Sequence, residues 1–98
     1  MRIIVIVGST KEVAREKLEK GIKEGIMRHD DYDEVVLDGC RVMAIGGSEE
    51  DVCWLRGVGF DGVEIVTVDE EGISEAMWKR IRLVWSTNNK RKDVDDDT

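Results

Sequence analysis

Apolar residues along the chain gather in four short runs that charged stretches separate. The runs cover residues 3–7, 35–37, 42–45 and 63–68. Each is only a few residues long, is rich in Val and Ile, and is bounded by residues such as Gly, Asp and Ser, a combination typical of strands. The pattern therefore predicts four strands.

Two of the intervening stretches show helical features. Ser9 and Ser48 each stand three residues before an acidic residue, and this capping-box spacing marks a helix start. The second helix is short and is expected to end near Gly57 or Gly59. The first helix carries an apolar residue at every fourth position, namely Ala14, Leu18, Ile22 and Ile26.

The segment after the fourth run fits two interpretations. Met77, Ile81 and Val84 follow the helical period, whereas Ile81, Leu83 and Trp85 alternate as in a strand. We favour a helix over about residues 74–85, and a fifth strand over residues 80–86 is the alternative. The charged residues 88–98 are expected to form a disordered tail. Residues 1–87 would then form a single α/β domain.

The chain nearly repeats itself at an offset of 39 residues, the interval from Arg2 to Arg41. Residues 2–13 align with residues 41–52 without a gap. Each copy consists of an apolar run, a break that contains glycine and serine, and a following segment that starts a helix. The repeat predicts two related strand–helix units.

The dipeptide Asp38-Gly39 lies between the second and third runs. Asp-Gly between apolar runs predicts a hairpin with a type I′ turn, in which both central residues have positive φ. Too few residues are available there for a crossover between parallel strands. The two runs should therefore pair in antiparallel fashion.

The resulting order, βαββαβ, resembles the ferredoxin-like α+β arrangement, here with an internal pseudo-repeat and an extra C-terminal helix. A three-layer Rossmann-like α/β fold is the alternative. In the ferredoxin-like arrangement both helices cover one face of the sheet, yet the first and third runs are apolar on both faces. The open face would need a cover, either the C-terminal segment or a second copy of the chain.

Composition and charge narrow the possible functions. The 98 residues are 41% hydrophobic and 38% charged, as in a single globular domain, and the net charge is −7. This charge disfavours direct binding to nucleic acid or to an anionic membrane, and it suits a basic protein partner. Cys40 and Cys53 lack a metal-binding spacing, and the first apolar run is too short for a signal peptide or a membrane span. We therefore expect a reduced, cytoplasmic protein.

Gly8, Ser9, Thr10 and Lys11 form the candidate ligand-binding loop before the first helix. A strand, a glycine turn and a helix N-terminus together can bind an anion through free N–H groups, and this loop adds hydroxyls and an ammonium. Its spacing matches neither a P-loop nor a dinucleotide-binding motif.

The polar stretch of residues 29–34 contains the chain's only histidine, His29. Its acidic residues do not have EF-hand spacing, and no series of nucleophile, base and orienting group can be assembled around His29. A solvated loop is expected here. We expect no metal, no cofactor and no catalytic residues.

The candidate interface residues are Trp54, Val58, Trp78 and Trp85. Tryptophan is enriched in interface hot spots, and Trp54 and Val58 point away from the inward side of the second helix. These features predict a small acidic, non-catalytic binding module that acts through a protein–protein interface. We expect it to form a homodimer or to regulate or inhibit a basic partner. The alternative function is binding of a small ligand or nucleotide phosphate by the loop of residues 8–11.

Overall fold

The computed structural model describes the backbone of residues 2–96 and the side chains of residues 2–88. The strands are β1 (Arg2–Gly8), β2 (Met27–Arg28), β3 (Tyr32–Leu37), β4 (Cys40–Ile45) and β5 (Val63–Val68). The helices are α1 (Lys11–Gly21), α2 (Val52–Gly57) and α3 (Glu75–Asp96), with short 3₁₀ helices at Glu49–Asp51 and Glu70–Gly72. Within residues 2–96, no helix is long and apolar enough to cross a membrane.

All five strands form one mixed sheet in the order β2-β3-β4-β1-β5. β1 runs parallel to both of its neighbours, β4 and β5, whereas β3 is antiparallel to β4 and to β2. The predicted hairpin is confirmed, since Leu37 pairs with Cys40. Its turn is not type I′, because Gly39 has a φ of 69° whereas Asp38 has no positive φ.

The ferredoxin-like arrangement is not confirmed, because the chain reverses once more before β3. Strand β2 and a tight turn over residues 29–31 precede β3, and the His29 N–H donates to the Tyr32 carbonyl at 2.9 Å. The crossover from β1 therefore ends on β2 at the sheet edge, and β4 returns parallel to β1. The sequence pattern missed this reversal because β2 has only two residues and its turn contains no glycine.

Helices cover both faces of the sheet. Val5 and Val7 of β1 pack in the cluster that includes α2 and α3, whereas Ile6 packs in the cluster that includes α1. Right-handed crossovers explain this placement. In the strand order, the connection through α1 leads from β1 toward the β2 edge of the sheet, whereas the connection through α2 leads from β4 toward the β5 edge. Two right-handed connections that run in opposite directions across a sheet place their helices on opposite faces. The molecule therefore has a five-stranded mixed sheet with helices on both faces, which is compatible with an α/β fold.

α3 covers the sheet face that the sequence pattern left open. Met77, Ile81 and Val84 are fully buried in the same cluster as Val5 and Val7. The C-terminal segment is therefore the cover, and it is helical rather than a fifth strand. Since neither face is left bare, the apolar sheet no longer supports a homodimer.

The predicted end of α3 near Trp85 was too early, because the helix runs to Asp96. The side chains after Asn88 and residues 97–98 lie outside the described residues. The described backbone thus places residues 88–96 of the predicted tail, residues 88–98, in α3, and the disorder of this tail in solution stays a prediction.

Both ends of α1 differ from the prediction. Thr10 rather than Ser9 is the N-cap, and its Oγ1 accepts a hydrogen bond from the Val13 N–H at 3.2 Å. The helix ends at Gly21, and Ile22 is extended with a φ of −125°. The capping box predicted at the start of the second helical segment is confirmed.

Candidate functional site

The loops after β1, β4 and β5 meet at the carboxyl ends of these parallel strands. In α/β sheets, ligands bind at this end between strands whose helices lie on opposite faces. Here the chain itself fills the crevice, since a Cβ on Gly47 would lie 2.7 Å from the Gly8 carbonyl oxygen and one on Gly72 would collide with Ser9. The Ser74 N–H donates to the Gly47 carbonyl at 2.8 Å and closes the crevice further.

The polar side chains of the predicted ligand-binding loop are engaged within the chain. Ser9 Oγ donates to Asp69 Oδ2 at 2.6 Å, and the Thr10 hydroxyl caps α1. Lys11 Nζ donates to two carbonyl oxygens of the turn before β3, at 2.8 and 3.2 Å. Ligand binding by residues 8–11 therefore stays a prediction, with no uncommitted side chain in the loop to support it.

A buried carboxylate lies beneath α1. Asp33 is 0% exposed, and neither of its oxygens has a hydrogen-bond partner among the described residues. Two cations of α1 lie close to this carboxylate: Arg15 Nε is 3.7 Å from Asp33 Oδ2, and Lys11 Nζ is 3.8 Å from Asp33 Oδ1. Lys11 and Arg15 are separated by one turn of the helix. The expectation of a solvated loop is wrong for Asp33, which lies in β3 on the same buried face as Val35. The three charges attach α1 to the sheet.

A second charge cluster joins β3 and β4. Glu34 Oε2 accepts a hydrogen bond from Arg41 Nε at 2.6 Å, and its Oε1 lies 3.1 Å from His29 Nε2. Burial acts to raise the pKa of Glu34, but the hydrogen bonds and charges of Arg41 and His29 outweigh it, so this pKa lies below its ordinary value. Across residues 2–88, no three or more His, Cys, Asp or Glu side chains are grouped to hold a metal ion. The cluster links neighbouring strands.

The structure separates the predicted interface residues into two environments. Trp54, Val58 and Trp78 are partly buried and pack against the main core cluster. Trp54 lies 4.9 Å from Tyr32 between ring centroids, whereas Trp78 lies 6.1 Å from Trp85. Trp85 is 36% exposed, more than the other three. It is therefore the predicted interface residue with most surface available for a partner.

Trp85 stands beside the outer edge of β5, the last strand of the sheet. A groove of about 570 Å³ follows this edge. The charged residues that line it, Arg2 and Glu64, form an ion pair with each other. We call it the β5 groove, and its full lining is Arg2, Gly62, Val63, Glu64, Ile65, Val66, Trp85 and Asn88.

The backbone groups of β5 alternate between β1 and the outer edge. The Gly62 carbonyl accepts a hydrogen bond from the Ile3 N–H at 3.1 Å, so Gly62 faces β1. In a parallel pair every second residue faces the same neighbour. The N–H and C=O groups of Val63, Ile65 and Thr67 therefore point outward, away from the sheet.

Val63 has partners for both of its outward groups. Its N–H donates to the Phe60 carbonyl at 3.3 Å, and its C=O accepts from Asn88 Nδ2 at 2.8 Å. No turn, loop or side-chain hydrogen bond reaches the backbone of Ile65 or Thr67 among the described residues. The backbone N–H and C=O groups of these two residues are therefore the ones on the outer edge of β5 that can accept a new partner.

The opposite edge of the sheet is made of the two-residue strand β2 and, beyond it, the last residues of β3. β2 pairs with β3 at Asp33 and Glu34. Val36 lies in the part of β3 that β2 does not cover. Leu37 pairs with Cys40 next to the hairpin turn and directs its backbone groups toward β4, so the backbone groups of the preceding residue, Val36, point outward. β5 thus offers the longer free edge. The sequence pattern could locate β5 but not its position in the sheet.

Comparison with known proteins does not add to this picture. No protein-family model, curated protein or solved structure matched the chain. The function therefore has to follow from the geometry of the molecule.

Proposed function

We propose that the protein is a non-catalytic interaction module that binds an extended polypeptide segment along the outer edge of β5. The observation that carries the proposal is the pair of residues Ile65 and Thr67, whose outward backbone groups have no partner among the described residues. An exposed strand edge is a template for another strand, and strand addition is a recurring mode of peptide recognition.

Side chains beside the edge provide apolar contacts for such a segment. Val66 is 39% exposed and projects on the α1 side of the sheet. Trp85 projects from α3 on the other side and lines the same groove. A bound strand directs alternate side chains to the two sides, so it would contact Val66 with one set and Trp85 with the other. Tryptophan and its apolar surroundings are typical of interface hot spots.

The charge of the edge favours a neutral segment. Arg2 and Glu64 pair within the chain, so the β5 groove carries no net charge although the whole chain carries −7. The basic partner expected from overall charge would need another surface, and it stays a prediction. So do contacts through Trp54, Val58 and Trp78, which this proposal does not use.

The test is selection of random twelve-residue peptides displayed on phage against the immobilised protein. Thr67→Pro removes one outward N–H without removing a hydrogen bond to β1, and Val36→Pro is the matched control at the opposite edge. We expect selected peptides to lose binding to Thr67→Pro, to retain binding to Val36→Pro, and to shift the amide resonances of Ile65 and Thr67. Equal binding to both variants, or resonance shifts confined to another surface, would contradict the proposal.

A further inference from the structure

We infer that the segment bound by β5 is β5 of a second copy, paired antiparallel about a twofold axis that passes through Val66. The inference rests on the proposed function and names its partner. It follows from the hydrogen-bonding pattern, the side-chain order and the charge of one strand.

The free backbone groups of β5 are self-complementary about Val66. An antiparallel twofold at this residue places Ile65 opposite Thr67 of the second copy, and Thr67 opposite Ile65. Residues that face outward form hydrogen-bonded pairs, in which each pair exchanges both N–H···O bonds. The outward groups of Ile65 and Thr67 in both copies are thereby satisfied.

Other positions of the axis leave some of these groups without partners. A twofold at Ile65 would place Thr67 opposite Val63, whose N–H and C=O are already bonded to Phe60 and Asn88. A buried backbone group without a partner costs free energy. Within β5, Ile65 and Thr67 are the residues whose outward groups have no partner among the described residues, so the axis at Val66 is the one that uses all of them.

Side chains on the α1 side agree with this register. Val66 would face Val66 of the second copy in a non-hydrogen-bonded pair, where opposite Cα atoms are only about 4.5 Å apart. Such contact covers a valine that is 39% exposed in the single chain. Glu64 would lie opposite Val68 rather than opposite another Glu64, so like charges do not oppose each other directly.

Charge also selects a second copy over a charged partner. Two chains of −7 repel each other over most of their surfaces. At the β5 groove, however, the ion pair of Arg2 with Glu64 leaves no net charge to oppose contact. The edge is thus a neutral part of an acidic molecule, as a self-association surface requires.

The register is tested by disulfide formation in a chain that carries Cys40→Ala and Cys53→Ala, which remove both native thiols. Val66→Cys places two thiols across the axis at a Cα separation of about 4.5 Å, within the range of a disulfide. Glu64→Cys is the matched control, since its thiol would face Val68 of the second copy. The double variant Glu64→Cys, Val68→Cys should cross-link again.

We expect Val66→Cys to form a reducible dimer under mild oxidation at least tenfold faster than Glu64→Cys, with both variants folded by circular dichroism. Equal rates for the two variants would overturn the inference, and so would a strictly monomeric native chain in sedimentation equilibrium at millimolar concentration. If the chain is monomeric but Thr67→Pro still abolishes peptide binding, the second copy is excluded and strand addition stands. If peptide binding is also unaffected, both proposals fail.

Discussion

Asp33→Asn tests the charge cluster that attaches α1 to the sheet. The substitution keeps the shape of the side chain and removes its negative charge. The side chains of Lys11 and Arg15 are only 20% and 23% exposed, so both cations would remain largely buried beside a neutral amide. We expect the folded state to lose stability because these charges lose their shared counterion.

The expected loss follows from the distances. Unit charges 3.7 Å apart attract by about 4.5 kcal/mol at an effective dielectric constant of 20, and desolvation offsets much of this. Removing one partner of a buried pair costs about 3–5 kcal/mol. Lys11 keeps its two carbonyl acceptors and Arg15 keeps Glu19 at 3.9 Å, which places the loss at the lower end, about 3 kcal/mol. In a chain of this size that lowers Tm by roughly 12–24 °C.

Urea unfolding at pH 7, followed by tryptophan fluorescence, measures the effect. Asp31→Asn is the matched control, because it removes the same charge from an exposed residue two positions earlier in the chain. The control should change the free energy of unfolding by no more than about 0.5 kcal/mol. Neither variant should change the m-value, since the surface exposed on unfolding stays the same.

A rescue variant separates charge from packing. Adding Lys11→Met and Arg15→Met to Asp33→Asn removes the uncompensated cations, and we expect it to recover stability relative to Asp33→Asn alone. If Asp33→Asn is as stable as Asp31→Asn, the buried ion cluster does not stabilise the fold. If the rescue variant is less stable still, the packing of the two long side chains and the carbonyl hydrogen bonds of Lys11, rather than their charge balance with Asp33, hold α1 in place.

Three further predictions concern other parts of the molecule. Arg41→Met should cost about 1.5 kcal/mol at pH 7 in urea unfolding. This deficit should shrink at pH 2, because Glu34 has a lowered pKa and its stabilising contribution is lost as pH falls through its folded-state value. Gly47→Ala should cost about 2 kcal/mol because its Cβ would meet the backbone, whereas Gly21→Ala, with open space around it, should gain up to about 1 kcal/mol. Val66→Lys should abolish self-association in sedimentation experiments without lowering Tm, since like charges would then face each other across the axis. A destabilised Gly21→Ala, a deficit in Arg41→Met that is independent of pH, or undiminished self-association of Val66→Lys would contradict the corresponding reasoning.

Local sequence signals predicted much of the fold. The bounds of β5 and the capping box at Ser48 agree with the structure, because both depend on neighbouring residues. The hairpin at Asp38-Gly39 also forms, although with a different turn type. The directions of β3 and β4 relative to β1 depended instead on the extra reversal between β2 and β3. The two residues of β2 give too short a pattern to recognise from the sequence.

The candidate site could not be predicted in the same way. Val63–Val68 is apolar enough for a central strand, and nothing in its residues indicates that it lies at the edge. Trp54, which the sequence suggested as an interface residue, has its ring 4.9 Å from that of Tyr32 in a tilted arrangement, a contact within the chain that no local pattern indicated. Buried Asp33 was assigned to a loop because its cationic neighbours lie on a distant helix. Each of these features depends on contacts between residues that are far apart in sequence.

Residue-resolved amide hydrogen exchange tests the central claim most directly. The N–H groups of Ile65 and Thr67 should exchange rapidly in dilute solution, where the outer edge of β5 is free, and slowly at concentrations that allow pairing. The outward N–H of Val36 at the opposite edge should exchange rapidly at both concentrations. If Ile65 and Thr67 are protected even at high dilution, or remain unprotected whenever the protein associates, this edge is not the interaction surface.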